Sequence, residues 1–356
     1  MADFSYRSLR VLITGHTGFK GSWLAQWLLM QGAQVCGYAL PPNTKPALFN
    51  VLDLAPQLTR HELGDILDYP RLQAVFKAFE PDIVFHLAAQ PLVRLSYTQP
   101  VQTYAVNVMG TLNVLEAARQ TPFVRAVVNV TTDKCYENTE THRAYRETDP
   151  LGGYDMYSSS KACSEILSAS YRRSFLQNSF ALATARAGNV IGGGDWAQDR
   201  LLPDCMRALA AGAPIVLRSP HALRPWQFVL EPLGGYLLLG EKLLTQGQKF
   251  AQAFNFGPDN RHPLTVEEMA RLAVACYGSG SVKIQPDNGP HEAALLTLDS
   301  TKAHEQLGWS PVYSAAAAVR ETVAWYKQFY TAGKEVKNFT ARQIQQFQEC
   351  LPWKKN

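Results

Sequence analysis

The chain has 356 residues, of which 46% are hydrophobic and 18% charged, a composition that excludes a disordered or fibrous protein and allows one or two domains around a large core. A net charge of +4, with a pI near 8.6, is too mild and too evenly spread for a nucleic-acid binder. No run of about 18 apolar residues reads as a membrane span, and Met1 to Arg10 lacks the apolar core of a signal peptide. Six scattered cysteines without zinc or C-x-x-C spacing argue against metal and disulfides, and for a reducing, cytoplasmic setting.

Taken in chain order, Leu9 to Thr14 is a short apolar run that ends in the loop Gly15-His16-Thr17-Gly18-Phe19-Lys20-Gly21. Phe19 to Met30 has helical periodicity, and Gln34 to Leu40 reads as a second strand closed by Pro41-Pro42. Asp65-Ile66 follows a third strand. Ile83 to Ala88 and Ala126 to Thr131 are further strands, with one long helix expected between them over Val101 to Arg119. Tyr154 to Phe175 is a second long helix, leading to a strand at Phe180 to Ala185. Strands separated by helices of this length predict an α/β, Rossmann-type, doubly wound parallel sheet.

The pattern changes at the loop Gly192-Gly193-Gly194-Asp195. Short elements follow at Pro203 to Ala211 and Ile215 to Leu217. A helix over Leu230 to Thr245 is expected to pack back on the first domain. Thr265 to Tyr277, Val282 to Pro286, Thr301 to Leu307 and Ala315 to Phe329 form a smaller α/β lobe, and Thr340 to Glu349 a helix in a polar tail. The expected division is a cofactor domain over 1–188 with return segments near 226–256, a substrate lobe over 189–330, and a helical tail over 331–356.

Gly15, Gly18 and Gly21 between a strand and a helix suit a dinucleotide pyrophosphate. The turn lets backbone approach the phosphates, and the helix start offers N–H groups to them. No acidic residue occurs between Gly21 and Asp53 to grip the adenosine ribose; Asn43, Thr44 and Lys45 stand nearest instead. A reaction that returns its hydride needs a resident oxidised cofactor, which favours NAD. Asp65 and Ile66 are placed to hold the adenine.

Tyr157 and Lys161, four residues apart, share a helix face. A phenol of pKa near 10 is a poor base. A neighbouring ammonium and an oxidised nicotinamide favour phenolate, so the pKa of Tyr157 is expected to fall. It can then take the proton of a sugar hydroxyl as hydride leaves the carbon. Thr132, at a strand end, is placed to bond the reacting oxygen, and Asp133-Lys134 adds an acid–base pair beside it.

These motifs resemble the extended short-chain dehydrogenase/reductases, the group that contains nucleotide-sugar epimerases and dehydratases. Supporting segments are His86-Leu87-Ala88-Ala89, Asn107-Val108-Met109-Gly110-Thr111, Arg186 to Gly192, Arg224 to Val229 and Asn255-Phe256-Gly257. The similarity runs from about Arg10 to Phe329. Within the group it points to the 4,6-dehydratases, through Thr132-Asp133-Lys134, Tyr38 to Pro42 and Gly192 to Trp196.

The resemblance implies NAD as cofactor, with Gly15, Thr17, Gly18, Phe19, Gly21, Asp65, Ile66, Leu87, Ala88, Ala89, Asn107, Tyr157 and Lys161 around it. It implies CDP-glucose as substrate, met by Asn189, Arg200, Leu201, Arg224, Asn255 and His291. His291-Glu292 departs from the commoner dehydratase pattern, which has arginine nearby. Trp196 and Trp226 either stack on the ligand or pack in the core. The implied reaction oxidises C4, eliminates water across C5 and C6, and returns hydride to C6. Asp133 is the acid at O6; Lys134 moves the C5 proton or stabilises the enolate. An epimerase would use the same Thr132, Tyr157 and Lys161 without the pair at 133 and 134. An inert NAD-binding protein need not keep Tyr157 and Lys161. The two long helices resemble those of a four-helix dimer interface, so a homodimer is expected.

Overall fold

The structure, a computed structural model, describes residues 4–139, 143–176, 179–259, 263–285 and 296–354. Its first half alternates β1 (Arg10–Thr14), α1 (Phe19–Met30), β2 (Gln34–Ala39), the short α2 (Leu48–Val51), β3 (Arg60–Leu63), α3 (Tyr69–Phe79) and β4 (Ile83–His86). After β4 come α4 (Val93–Thr98), α5 (Pro100–Tyr104), a π-helical segment (Ala105–Gly110) and α6 (Thr111–Arg119). Then β5 (Ala126–Val130), α7 (Met156–Phe175) and β6 (Ala181–Arg186) complete this half.

The remainder holds β7 (Val190–Ile191), α8 (Leu201–Ala210), β8 (Ile215–Leu217), β9 (Leu223–Arg224), β10 (Gln227–Phe228), α9 (Leu230–Gln246) and β11 (Ala253–Asn255). It ends with β12 (Leu264–Thr265), α10 (Val266–Tyr277), β13 (Val282–Ile284), α11 (Thr301–Leu307), α12 (Ala315–Ala332) and α13 (Val336–Cys350).

Seven strands make one parallel sheet in the order β11-β6-β5-β4-β1-β2-β3. The order reverses between β1 and β4, the switch point where open α/β sheets bind ligands. The inner strands are buried along their whole length, which is why Val11 to Thr14, Ile83 to His86 and Ala126 to Val130 read as continuous apolar runs. One core cluster on the sheet includes Val11, Trp23, Val128, Leu233 and Phe254; the other includes Leu12, Phe76, Val84, Leu115 and Leu182. β11 joins the sheet beside β6, and α9 lies against β5 and β6.

Three two-stranded pieces, β7 with β10, β9 with β12 and β8 with β13, stand beyond the sheet with α8 and α10. α13 packs on α1 and α12, with Trp27 and Phe347 edge to face at 5.9 Å. No helix among the described residues is long and apolar enough to cross a membrane.

The expected helix over Val101 to Arg119 is interrupted. At its middle the backbone widens to π geometry, where the Asn107 side chain bonds the Gln90 backbone and Gly110 lies against Ile66. These contacts come from distant segments, so helical periodicity does not report them.

Candidate active site

The end of β5 and the first turns of α7 bring the reactive residues together. α7 starts at the Asp155 cap, whose carboxylate accepts bonds from the Ser158 backbone (2.9 Å) and hydroxyl (2.6 Å). Ser160, Ser164 and Ser168 form one small-residue stripe, and the Asn129 amide of β5 donates to Ser164 (3.1 Å) and Ser168 (3.0 Å). Deeper, Glu165 of α7 pairs with Arg186 of β6 at 2.9 Å, both almost fully buried. Thr131 (2.5 Å) and Thr184 (2.6 Å) donate to the same carboxylate. Burial would raise the Glu165 pKa, but Arg186 and these hydroxyls hold it below the usual value. This network fixes the register of α7 against β5 and β6, and with it Tyr157 and Lys161.

Tyr157, Lys161, Thr132 and Asp133 are all buried. Tyr157 hydrogen-bonds the Thr132 side chain. The Thr132 hydroxyl donates to Asp133 Oδ1 at 2.9 Å, and Lys161 Nζ donates to the Val130 carbonyl at 3.2 Å. The second Asp133 oxygen, Oδ2, has no partner. Lys134 is half-buried and lines the same cavity.

Burial is the largest influence on both catalytic-motif groups. It pushes the Tyr157 phenol up to about 12, against a lowering by Thr132 and Arg200, and pulls the Lys161 ammonium down to about 8, against Glu165. The expected fall at Tyr157 is therefore reversed in the protein alone. Desolvation of the phenolate outweighs the nearby cations.

The glycine loop fits a dinucleotide. Gly15 has φ +79°, and a side chain there would meet the Ala88 backbone nitrogen at 2.7 Å, while one at Gly21 would meet the Gly15 carbonyl at 2.1 Å. α1 then begins at Phe19 with Gly18 as cap and no side chain over its first amides. Thr17 donates to the Leu40 carbonyl (2.8 Å), tying the loop to the end of β2. Leu87 and Ala88 donate backbone bonds to Thr14, and Ala89 follows them at the loop. Asp65 accepts from Leu67 N at 2.9 Å, its carbonyl accepts from the Tyr38 hydroxyl at 2.9 Å, and Ile66 is buried beside Gly110. Asn107 is 1% exposed, and its amide is spent on Gln90 O (3.1 Å) and Ser160 (2.9 Å). It braces the loop after β4 against α7.

A cavity of about 1160 Å³ opens at the strand ends and runs into the smaller lobe. Asn189, at φ +49°, Arg200, Leu201 and Arg224 all line it, as do Arg94, Arg218 and His221, which the sequence analysis did not single out. Arg200 is held by Asp195 at 2.8 Å. Several guanidinium groups lining one cavity suit a diphosphate.

Asn255 is placed elsewhere. It is fully buried outside the cavity, donating to the Tyr145 (2.9 Å) and Asp299 (3.1 Å) carbonyls and accepting from Tyr136 (2.7 Å). It braces the edge of the sheet, a role its motif position did not disclose. Trp196 packs with Trp325, Tyr326 and Phe329, whereas Trp226 lines the cavity. His291 lies outside the described residues.

Sequence reasoning also missed Lys20, which reaches the cavity beside Asp133. Its signal was a lone cation in the otherwise uncharged run Phe19 to Met30.

Residues 12–322 match the model of the family described as GDP-mannose 4,6 dehydratase. The chain belongs to that family. It is 46% identical, over 96% of its length and 97% of the relative's, to the CDP-glucose 4,6-dehydratase of Salmonella typhimurium. It is 27% identical to a probable dTDP-glucose 4,6-dehydratase of Sinorhizobium fredii, covering 89% of this chain and 93% of that one. Among solved structures, the dTDP-glucose 4,6-dehydratase of Bacillus anthracis in complex with NAD superposes with a TM-score of 0.77 at 21% identity, over 92% of this chain and all of that one. The UDP-glucose 4-epimerase of Thermotoga maritima, with UDP-glucose, gives 0.78 at 22% identity, over 90% and 99%. Proteins named for dehydration and for epimerisation thus share this fold.

Proposed function

We propose that the protein is an NAD-dependent CDP-glucose 4,6-dehydratase. The observation that carries this is Asp133, a buried carboxylate with one oxygen unpartnered, held by Thr132 beside Tyr157 at the cavity floor. Epimerisation needs no acid there. The 46% identity to the Salmonella enzyme supports the choice of CDP-glucose.

The glycine loop and the first turn of α1 hold the cofactor's diphosphate; the segment 1–188 with 226–256 forms the cofactor side, and the rest of the cavity wall the substrate side. With NAD held there, the site would have an acceptor for the C4 hydride and a donor of hydride to C6. Tyr157 receives the proton of the 4-hydroxyl, which Thr132 holds in place. Because burial raises the Tyr157 phenol, the cations around it must favour the phenolate: Arg200 lowers its pKa, and Lys161 sits one helical turn on. With C4 oxidised, the C5 hydrogen is alpha to a ketone. Lys134, as the free amine, accepts that proton while Asp133, in its carboxylic acid form, protonates O6, and water departs. Arg200 and Arg224 fork the diphosphate, with Asn189 donating beside them.

We further propose a homodimer joined through α5 to α7, where Val101, Met109 and Ile166 are exposed. Sedimentation should then give about twice 39.5 kDa. A mass that stays monomeric at every concentration refutes the dimer.

The test of the reaction is incubation with NAD and CDP-glucose in heavy water, read by mass spectrometry. The expected product has lost one water and carries deuterium at C5. An unchanged mass, with the galactose isomer appearing, means an epimerase instead.

A further inference from the structure

Lys20 is the second residue of α1 and has no part in the chemistry above. It is half-buried and lines the cavity. Its ammonium donates one long bond, 3.5 Å, to the Tyr236 hydroxyl of α9 and stands 5.7 Å from that ring's centroid. It makes no ion pair among the described residues, yet its charge interacts with Lys161, Arg200 and Asp133. Asp133, on the same cavity floor, leaves Oδ2 without a partner.

A cation with one long bond and a carboxylate with one unpartnered oxygen thus line the same cavity without pairing with one another. The group that satisfies both must accept from an ammonium and exchange a proton with a carboxyl. A hydroxyl oxygen does this.

We propose that Lys20 is a further catalytic residue, donating a hydrogen bond to the sugar oxygen that Asp133 protonates as it leaves. This rests on the dehydratase reading. As the C6–O6 bond breaks, its electron pair goes with O6, the Asp133 proton completes water, and the C5–H pair becomes the C5–C6 double bond. Lys20 keeps its proton and stabilises the negative charge that develops on O6.

Enclosure, then the charges of Lys161 and Arg200, pull Lys20 down to about 7, while Asp133 pulls it up. An ammonium is costly in that place unless an acceptor meets it, and the departing oxygen is one. C4 oxidation needs no such donor, because Thr132 and Tyr157 serve that oxygen.

The test compares wild type with Lys20→Met, Lys20→Gln and Lys20→Arg as holoenzymes on CDP-glucose. Rapid mixing follows the reduced cofactor formed by C4 oxidation, and quenched samples follow loss of water. The proposal expects oxidation within a few-fold of wild type and water loss slowed by about 100-fold in the methionine and glutamine variants. It expects partial recovery with arginine. NAD content and circular dichroism check that each variant folds, and the glutamine variant serves if methionine does not. Water loss at the wild-type rate overturns the proposal, as does an equal fall in both steps, which would make Lys20 a support for cofactor or fold. A wild type that dehydrates nothing overturns the dehydratase reading together with it.

Discussion

Replacing Gly188 by alanine probes Asp133 by steric means alone. Gly188 follows β6 and its φ is not in the left-handed region, so an alanine backbone is unstrained there. Its methyl carbon, however, would stand 1.9 Å from Asp133 Oδ2 and 2.1 Å from Cγ. Ordinary carbon–oxygen contact begins near ~3.3 Å, so the carboxylate must retreat by about 1.4 Å or the strand end must shift. Asp133 is 2% exposed and tied to Thr132, so it has little room to retreat. Overpacking of this kind costs about 1–3 kcal/mol of stability. A misplacement of about 1 Å at a reacting group costs about 100-fold in rate. The expected variant binds NAD and oxidises C4, but eliminates water about 100-fold more slowly, so reduced cofactor accumulates during turnover. The assay is stopped-flow absorbance of reduced cofactor alongside mass spectrometry of the sugar nucleotide. Elimination at the wild-type rate in a folded Gly188→Ala protein would refute the placement of Asp133 as the acid.

Three further outcomes follow from the same geometry. Tyr157→Phe should lower C4 oxidation by about 10²–10⁴-fold with NAD content unchanged; retention of the wild-type oxidation rate removes Tyr157 from the chemistry. Glu165→Gln leaves Arg186 buried without its counter-charge and should cost about 3–5 kcal/mol in urea unfolding, and a loss below about 1 kcal/mol would mean the pair does not anchor α7. Glu231 is fully buried beneath the Val312 and Tyr313 amides, and burial raises it to about 7. The unfolded chain releases that proton near pH 4.5 while the folded protein holds it, so the group costs stability as pH rises from about 4.5 to about 7. Relative to Glu231→Gln, wild type should lose on the order of 3 kcal/mol across that window; parallel profiles would contradict the buried, protonated carboxyl.

The sheet was legible because its inner strands are buried on both faces and so appear as unbroken apolar runs between helical periods. The chemistry was legible where one local element carries it. Gly15 to Gly21 spans a single turn, and Tyr157 with Lys161 a single helix face. What escaped depends on segments far apart in the chain. The π segment is set by Gln90 and Ile66 pressing on Asn107 and Gly110. Asn255 stands in a motif but spends its amide on Tyr145 and Asp299. The sign of the Tyr157 shift turned on burial, which spacing does not measure. Lys20 lay in plain view inside the glycine loop, and only the cavity gives it an object.

Whether the hydride that leaves C4 comes back to C6 of the same sugar is decided by turnover of CDP-glucose deuterated at C4. A dehydrated product that keeps the deuterium, now in its 6-methyl group, is expected, with no label in bulk cofactor or water. A dehydrated product lacking the deuterium, or an undehydrated one with it still on C4, would overturn the proposed reaction.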